Sequence, residues 1–389
     1  MGNFKDTFSE FYSSIIKSNW SPITGGILIA LFAILLEMWG RPWGIIAGIR
    51  NWGEWFWYWV GVIDEEPIHP LWSSASVINI GFLLGAFISA NLAYEFGIRI
   101  PPFLEIIKGI IGGILMGIGG ALARGCNIGG FYTPFTNLSA SAIPMMIGLM
   151  IGALVGVKYL LWEIEHLPSK GGTEISLKKL NPILGIIALI VLIWGGYAYF
   201  HSEDEMGALL GGSLFFSAGI GYAMHRSRIC FVAAFREPFL SGEATLARAI
   251  ILSMFLAMIG ILFIKLLEIM PPMVYVPQTF ILGALIGGFI FGIGMVIAGG
   301  CGSGSLFRVA EGQVKLIIAV IFFALTNALV RYYMDYVWKI WDKGILGKKV
   351  FLPDYLGYSG AFILLSLVLL LWYIFVTWNE KSEKFVIGI

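Results

Sequence analysis

Three cysteines stand where hydrophobic segments are interrupted by glycine or arginine, and they are the residues of this chain best suited to chemistry. Cys126 follows Ala-Arg-Gly, Cys230 follows Arg-Ser-Arg-Ile and Cys301 follows Ala-Gly-Gly. Irregular backbone inside a bilayer is tolerated only where protein buries it or where it lines a cavity. Three thiols at three such interruptions therefore predict a route through a membrane that is lined with soft sulfur groups.

Positively charged side chains accompany the cysteines. Arg124 and Arg228 each precede a cysteine by two residues, and Arg308 follows Cys301 by seven. A half-helix also aims its free N–H groups and the positive end of its dipole at one place. Thiols and positive potential together match a small anion that carries a polarisable sulfur or selenium atom. The alternative is that helix-end arginines only mark topology and reach toward the interface.

Small and polar residues next to the cysteines are candidates for the same path. Asn127 and Ser303 can donate hydrogen bonds to a substrate or cap their own helices. Taken singly, a cysteine in an apolar helix is a small hydrophobe. We expect His225 at the membrane interface and Glu311 paired with Arg308, three residues earlier. The glycines assigned to the path are Gly125, Gly129, Gly300 and Gly302.

The composition is that of a membrane protein. Hydrophobic residues make up 58% and charged residues 13% of the 389 positions, which leaves too little polar surface for a soluble chain. Several apolar runs are long enough to cross a hydrocarbon core of roughly 30 Å, so the expected surroundings are membrane lipid. A net charge of +1 gives no case for nucleic-acid binding. No Cys-x-x-Cys pair or histidine ligand spacing occurs, so neither a disulfide framework, a metal site nor a cofactor is predicted.

The apolar runs predict ten spanning helices and four shorter segments. The spanning helices are expected at 21–40, 76–96, 104–124, 140–162, 182–200, 207–224, 245–268, 280–299, 313–334 and 359–378. The four segments between them are too interrupted to span and are typical of re-entrant half-helices; they lie at 41–52, 125–137, 227–239 and 300–311.

Two parts of the chain are related by duplication. Residues 112–126 align without gaps on 287–301, with 8 of 15 positions identical and a cysteine at the end of each. A second alignment places 25–50 on 211–236, with 7 of 26 positions identical. In it, Gly44 falls opposite Cys230, the third cysteine. From the 104–124 helix to the 280–299 helix is a step of five spanning helices, an odd number, so the copies are expected to be inverted, a common plan of secondary transporters.

The predicted fold class is therefore an all-α polytopic membrane protein of two inverted repeats with central re-entrant half-helices, hourglass-like, with about 9–10 transmembrane helices. Its expected parts are an N-terminal cytoplasmic segment (1–20), a first repeat half (21–162), a polar linker with a connecting helix (163–204), a second repeat half (205–378) and a C-terminal tail (379–389). Basic loops at 163–181 and 225–244 place both termini in the cytoplasm. The lysines of 335–358 fall on the other side in this count, against the rule.

The cysteine motifs resemble those of the YeeE/YedE family of sulfur-transport membrane proteins, most closely its YedE-type branch. The resemblance rests on Arg-Gly-Cys-Asn-Ile-Gly-Gly-Phe-Tyr (124–132), Ile-Cys-Phe-Val-Ala-Ala-Phe-Arg (229–236) and Ala-Gly-Gly-Cys-Gly-Ser-Gly (298–304). It implies an hourglass fold, uptake of thiosulfate along a relay of cysteines, and location in the inner (plasma) membrane of a prokaryote. Cys126 and Cys301 resemble the central relay cysteines, and Cys230 is matched within the YedE-type branch. That branch is associated with selenium metabolism and with a small TusA-like sulfur-carrier protein on the cytoplasmic side.

The expected function is uptake of a small sulfur-containing anion, thiosulfate or a close analogue, and not an enzymatic reaction. A transporter of a selenium species with the same fold remains open, because selenium and sulfur anions share size and softness. A membrane thiol oxidoreductase is a further alternative, although it normally uses one attacking and one resolving thiol in a close pair. A channel for a hard anion has no need of thiols.

Overall fold

A computed structural model describes residue 10, residues 12–167 and residues 171–387. The expected N-terminal segment, linker and C-terminal tail each include residues outside this description, namely 1–9 and 11, 168–170, and 388–389.

Helices dominate the described residues. They are numbered in chain order, beginning with the π-helical α1: α1 (Tyr12–Lys17), α2 (Pro22–Met38), α3 (Ile46–Val60), α4 (Ser74–Leu92), α5 (Phe103–Ala123), α6 (Thr133–Thr136), α7 (Ala142–His166), α8 (Asn181–Phe200), α9 (Gly207–Ser227), α10 (Phe231–Leu240), α11 (Thr245–Leu266), α12 (Leu282–Ala298), α13 (Gly302–Ala310), α14 (Val314–Tyr332) and α15 (Pro353–Ser382). Two further π-helical segments adjoin α6 and α14: Asn127–Tyr132 and Tyr333–Val337.

Nine helical stretches within the described residues are long and apolar enough to cross a membrane, and α2 is a shorter apolar helix. Each of the ten predicted spanning helices has a helix in its place, with ends shifted by a few residues. The prediction of an all-α, multi-pass membrane protein is thereby confirmed. Only 22% of the apolar stretch of α8 is buried inside the molecule. This helix therefore lies at the periphery, with large apolar side chains facing outward.

The packing of the helices follows the duplication. Helices α5 and α12, which carry the best-matched sequence segments, pack against each other in opposite directions: Gly112 faces Ala298, whereas Gly119, two turns later, faces Phe291. Their other neighbours are equivalent, because α5 also packs on α14 and α12 packs on α7. Small residues at these crossings let the backbones approach closely. The two copies of the unit thus run in opposite directions.

The packing of six further helices follows the same duplication: α2, α4, α6, α9, α11 and α13. Helix α2 packs on α9, its repeat partner, and again the two run in opposite directions, with Gly25 facing Ser227 and Trp39 facing Gly212. Helix α4 packs on α9 as α11 packs on α2, and α13 packs on α4 as α6 packs on α11. A two-fold axis perpendicular to the helices accounts for all of these pairs.

Short helices occupy the four segments that the sequence marks as interrupted. They are α3, the π-helical segment with α6, α10 and α13. Helix α3 is longer than the predicted segment and continues to Val60, where Gly61 in the left-handed conformation ends it. That these helices enter the membrane only part-way stays a prediction.

A small sheet joins the first repeat to the linker between the repeats. Strand β1 (Gly97–Ile100) pairs antiparallel with β2 (Thr173–Ser176). The backbone N–H groups of Gly97 and Arg99 also donate to the carbonyls of Glu311 and Gly312, just after α13. The end of α13 is therefore held by the segment that follows α4.

Candidate thiol-lined site

Each cysteine stands directly before a short helix. The Cys126 Sγ accepts a hydrogen bond from the Ile128 N–H at 3.4 Å, and the Cys301 Sγ accepts one from the Gly304 N–H at 3.2 Å. These two cysteines have nearly the same backbone conformation, as equivalent positions of a duplicated unit should. Cys230 is the residue before α10, without such a side-chain bond. The thiols are thus placed at the positive ends of helix dipoles.

A left-handed residue two positions before each cysteine reverses the chain. Gly299 has φ 81°, and glycine adopts this conformation at little cost. Arg124 and Arg228 have φ 54° and φ 55°, which is unusual for residues that have a Cβ. Such strain costs on the order of 1–3 kcal/mol and is typical of functional sites. The arginine and the thiol are thereby fixed in position relative to each other.

All three thiols gather around the first turn of α13. A Cβ on Gly302 would lie 3.1 Å from the Cys126 Sγ, and a Cβ on Gly304 would lie 2.6 Å from the Cys230 Sγ and 3.0 Å from the Cys301 Sγ. Cys126 and Cys301 are 0% exposed and Cys230 is 2% exposed. Glycine at positions 302 and 304 leaves the space in which the three sulfur atoms converge.

Cys230 and Cys301 form a close pair that the sequence does not reveal. Both sulfur atoms flank the same point beside Gly304, and both cysteines are free thiols. The sequence contains no Cys-x-x-Cys motif, which disfavours a thiol oxidoreductase. The fold nevertheless brings together two thiols that are 71 positions apart in the sequence.

Polar side chains without partners lie next to the thiols. Asn127 is fully buried, and neither its amide oxygen nor its nitrogen has a hydrogen-bond partner among the described residues. The same holds for the Ser305 hydroxyl, whereas the Ser303 Oγ lies 3.6 Å from the Cys301 Sγ. A buried polar group left unpaired costs about 1–3 kcal/mol. Asn127 therefore does not cap its own helix, which leaves it free to contact a substrate.

The other glycines assigned to the path shape tight turns. A Cβ on Gly125 would fall 2.2 Å from the Gly130 nitrogen, and one on Gly300 would fall 2.7 Å from the Ser305 Oγ. A Cβ on Gly129 would meet the Tyr275 hydroxyl at 2.7 Å. Larger side chains have no room at these positions.

Arg124 borders a cavity of about 360 Å³ at the C-terminal end of α5. Two arginines that the sequence analysis did not assign to the path, Arg50 and Arg331, line the same cavity, and so does Tyr275. The sequence could have indicated them, because an ionisable residue within an apolar segment of a membrane protein is a candidate functional residue.

Tyr275 lines this cavity and also lies near Cys126. Its hydroxyl lies where side chains at Gly44 and Gly129 would be, since a Cβ on Gly44 would be 3.2 Å from it. Burial, and then the nearby Cys126, raise the pKa of Tyr275 to about 12, so the hydroxyl keeps its proton at neutral pH and can donate a hydrogen bond. The second alignment places Gly44 opposite Cys230, and here a tyrosine hydroxyl lies where a side chain at position 44 would be.

Arg228 and Arg308 lie toward the other end of α5, among charged residues. Arg228 donates to Glu95 at 2.6 Å and also to Glu311. Arg308 donates to the Gly299 carbonyl and does not pair with Glu311, so the expected pairing of these two residues is wrong. Glu311 sits beside the turn that β1 holds, and its partners come from distant segments that local spacing cannot reveal.

His225 and its neighbour Arg226 are buried, which for His225 contradicts the expectation. Both are 0% exposed, whereas the sequence analysis placed His225 at the interface. The His225 Nε2 lies 2.9 Å from Glu311, and Arg226 pairs with Glu95. Glu95 neutralises the Arg226 guanidinium, and Glu311 gives the His225 ring a polar neighbour, which is why both residues can lie inside the protein.

The charges of this network also act on Glu311. Burial alone would raise the pKa of Glu311, but the hydrogen bond from His225 and the charges of His225 and Arg228 lower it to about 2. Potential ligand atoms of Glu95, His225 and Glu311 lie within 4.8 Å of one another, as a metal site would require. Arginines already occupy the carboxylates, so the cluster is an ion-pair network.

Comparison with known proteins decides the family. A profile described as sulphur transport matches residues 3–155 and 226–386. The chain belongs to the sulphur-transport family. This confirms the family predicted from the three cysteine motifs.

Named relatives within the family are transporters. The chain is 28% identical over 349 residues to a probable transporter, YedE, of Escherichia coli, with 85% of each chain covered. A YedE of Salmonella typhimurium is 28% identical over 353 residues, again with 85% of each chain covered. A thiosulfate transporter, TsuA, of Spirochaeta thermophila is 38% identical over 105 residues, which cover 27% of this chain and 31% of TsuA.

Proposed function

We propose that this chain carries a small sulfur-containing anion of the thiosulfate class through the membrane, past Cys126, Cys301 and Cys230. The observation that carries the proposal is the convergence of three buried thiols on the first turn of α13. The family supports transport, and relatives named as thiosulfate transporters support the substrate.

The chemistry of this site suits an anion with a terminal sulfur atom. A thiol is a weak hydrogen-bond donor with a polarisable sulfur, so it interacts with a soft atom without holding it tightly. Backbone N–H groups at the starts of the short helices add positive potential. Asn127 and Ser303 supply further polar contacts, and Gly300 and Gly302 leave room. Passage then needs no covalent bond, only successive hydrogen bonds from S–H to the substrate.

The proposed route runs along α5. The anion enters the arginine-lined cavity beside Arg124, passes Tyr275 to Cys126, and moves across Gly302 to Cys301 and Cys230. It leaves toward Arg228 and Arg308. In this route the four short helices are re-entrant and form an hourglass, and each end of the path carries arginines that attract an anion.

Orientation follows from the basic loops. Segments 163–181 and 225–244 lie at the Arg228 end of the path, so we place that end and both termini in the cytoplasm of a prokaryote, with the protein in the inner membrane. The arginine-lined cavity then faces outward and the transport is uptake. A TusA-like carrier at the cytoplasmic face would capture the product and make the uptake directional.

A thiol oxidoreductase is the second candidate, because Cys230 and Cys301 lie side by side as an attacking and a resolving thiol must. The two functions differ in what each cysteine does. A relay needs Cys126, which lies apart from the pair, whereas electron exchange within the pair does not.

Uptake of labelled thiosulfate and of labelled selenite by cells that carry the protein separates these functions. Each single Cys→Ala variant is compared with Ser213→Ala, a buried small residue of α9 outside the thiol cluster. The proposal predicts thiosulfate uptake that falls in Cys126→Ala and Cys301→Ala and persists in Ser213→Ala. Uptake that survives both cysteine replacements removes the relay, and a lost thiol redox signal with intact uptake supports the oxidoreductase. Cysteine-dependent uptake of selenite alone shows a selenium substrate.

A further inference from the structure

We propose that the arginine-lined cavity binds tetrahedral dianions in general, sulfate included, and that selection for sulfur happens only at the thiols beyond it. The cavity has a volume of about 360 Å³ and is lined by Arg50, Arg124 and Arg331. A water molecule takes about 30 Å³ in the liquid, so the cavity holds a small anion with part of its hydration shell. This inference deepens the proposed function and rests on it for the onward passage of the anion.

The arginines leave an excess of positive charge at the cavity. Arg50 pairs with Glu54 at 3.0 Å, and Arg331 pairs with Asp335 at 2.7 Å. Arg124 is 3.9 Å from the same Asp335, beyond hydrogen-bond distance. Three guanidinium groups thus share two carboxylates that lie outside the cavity lining. Arg50 and Arg331 also line an adjoining cavity that holds acidic residues, so the positive charge least offset by carboxylates is that of Arg124. A cleft lined by one sign of charge concentrates ions of the opposite sign.

Several N–H groups of these arginines have no acceptor. The Nε and Nη1 of Arg331 and the Nε of Arg124 are buried and unpaired among the described residues. The Arg331 side chain is only 11% exposed, so bulk water does not readily replace the missing acceptor. A planar guanidinium matches the paired oxygen atoms of sulfate-like anions and donates to them in parallel.

Trp341 holds two of the guanidinium groups in place. Arg124 stacks over its ring at 4.3 Å from the centroid, and Arg331 lies over the same ring at 5.4 Å. Two like charges are therefore kept near each other by one aromatic ring. Their repulsion is relieved when a dianion binds, so the cavity is organised for an anion before the anion arrives.

The cavity recognises oxygen atoms rather than sulfur. None of the described residues that line it is a cysteine; Tyr275, which does line it, places its hydroxyl beside Gly129, three residues after Cys126. Sulfate therefore satisfies the arginines as well as thiosulfate does, but it has no terminal sulfur for the thiols. We expect sulfate to bind, to compete with thiosulfate, and not to be carried.

Equilibrium binding of labelled sulfate to the purified full-length protein in detergent tests the inference. Ionic strength is kept constant with chloride. Wild type is compared with Arg331→Gln and with Arg248→Gln, a control in which the lost arginine pairs with Glu380 away from the cavity. We expect about tenfold or greater weakening of sulfate binding in Arg331→Gln, the usual effect of losing a charge-assisted hydrogen bond, and no change in Arg248→Gln.

A second variant keeps the test decisive if Arg331→Gln does not fold. Ala47→Asp adds a carboxylate to the cavity lining while keeping all three arginines, and it should abolish sulfate binding. Folding of every variant is checked by its melting temperature without sulfate.

The inference and the proposed function fail separately. Cys126→Ala with Cys301→Ala should bind sulfate like the wild type while losing thiosulfate uptake. Sulfate binding that depends on Arg331 supports the inference even if the protein carries no thiosulfate. No sulfate binding by the wild type, or equal binding by wild type, Arg331→Gln and Ala47→Asp, overturns it even if thiosulfate is carried.

Discussion

Replacement of Gly304 by alanine should block transport without unfolding the protein. The added Cβ would stand 2.6 Å from the Cys230 Sγ and 3.0 Å from the Cys301 Sγ, whereas ordinary contacts begin at 3.4 Å. One or both sulfur atoms must then move by about 1 Å to restore normal van der Waals separation. The methyl group also fills the space where the substrate is proposed to pass between the thiols.

The size of the effect follows from opposing contributions. Overpacking a buried site costs about 1–3 kcal/mol, and replacing glycine by alanine inside a helix returns about 1 kcal/mol. The free energy of unfolding should therefore fall by only about 0–2 kcal/mol. A barrier of the same 1–3 kcal/mol along the path lowers the transport rate about 5- to 150-fold.

The assay is initial uptake of labelled thiosulfate into proteoliposomes, with the melting temperature measured on the same preparation. Gly195→Ala in α8 is the matched control, because the nearest atom to its added Cβ is 3.5 Å away, an ordinary contact. We expect Gly195→Ala to transport like the wild type. A Gly304→Ala protein that melts normally and transports at the wild-type rate would refute the reasoning, since the space between the sulfur atoms would then not be part of the path.

Three further predictions concern the charged and hydroxyl groups around the thiols. Arg124→Gln should raise the apparent KM for thiosulfate about tenfold, because a cavity guanidinium is lost; an unchanged KM in uptake kinetics would return Arg124 to a purely topological role. Tyr275→Phe should lower the uptake rate several-fold, as expected from the loss of a net hydrogen bond of about 1 kcal/mol, without changing the melting temperature; a wild-type rate would show that the hydroxyl does not meet the anion. Because the pKa of Glu311 is lowered to about 2, its stabilising effect is complete above its ordinary pKa of 4.5 and is lost as pH falls toward 2. Glu311→Gln should therefore lower stability by about 3 kcal/mol at neutral pH and by roughly half as much near pH 3, measured by thermal melting; equal losses at both pH values would contradict this.

The sequence could predict those features that its local pattern encodes. Apolar runs located the helices, and the matched segments before Cys126 and Cys301 indicated the duplication that α5 and α12 display in their opposite directions. The cysteines could be predicted to precede short helices because glycine and arginine interrupt the apolar runs there.

The rest of the site depends on contacts between distant segments. Cys230 and Cys301 come from different helices, and Tyr275 reaches Gly44 and Gly129 from a loop, so no spacing along the chain predicts these encounters. The same reason explains the errors at His225 and Glu311. Each was judged by its neighbours in sequence, whereas the partners that make burial of charge tolerable come from the end of α9 and from the residues just after α4 and α13.

Transport by the purified protein in liposomes tests the central claim most directly, because no other cell component is present. Wild type, Cys126→Ala and Cys301→Ala are reconstituted at equal amounts, and uptake of labelled thiosulfate is measured against protein-free liposomes. The thiol path predicts uptake by the wild type and at least about tenfold slower uptake by each variant, since the loss of one passing contact is worth on the order of 1.4 kcal/mol. Equal uptake by all three proteins would show that the anion crosses elsewhere and would contradict the account.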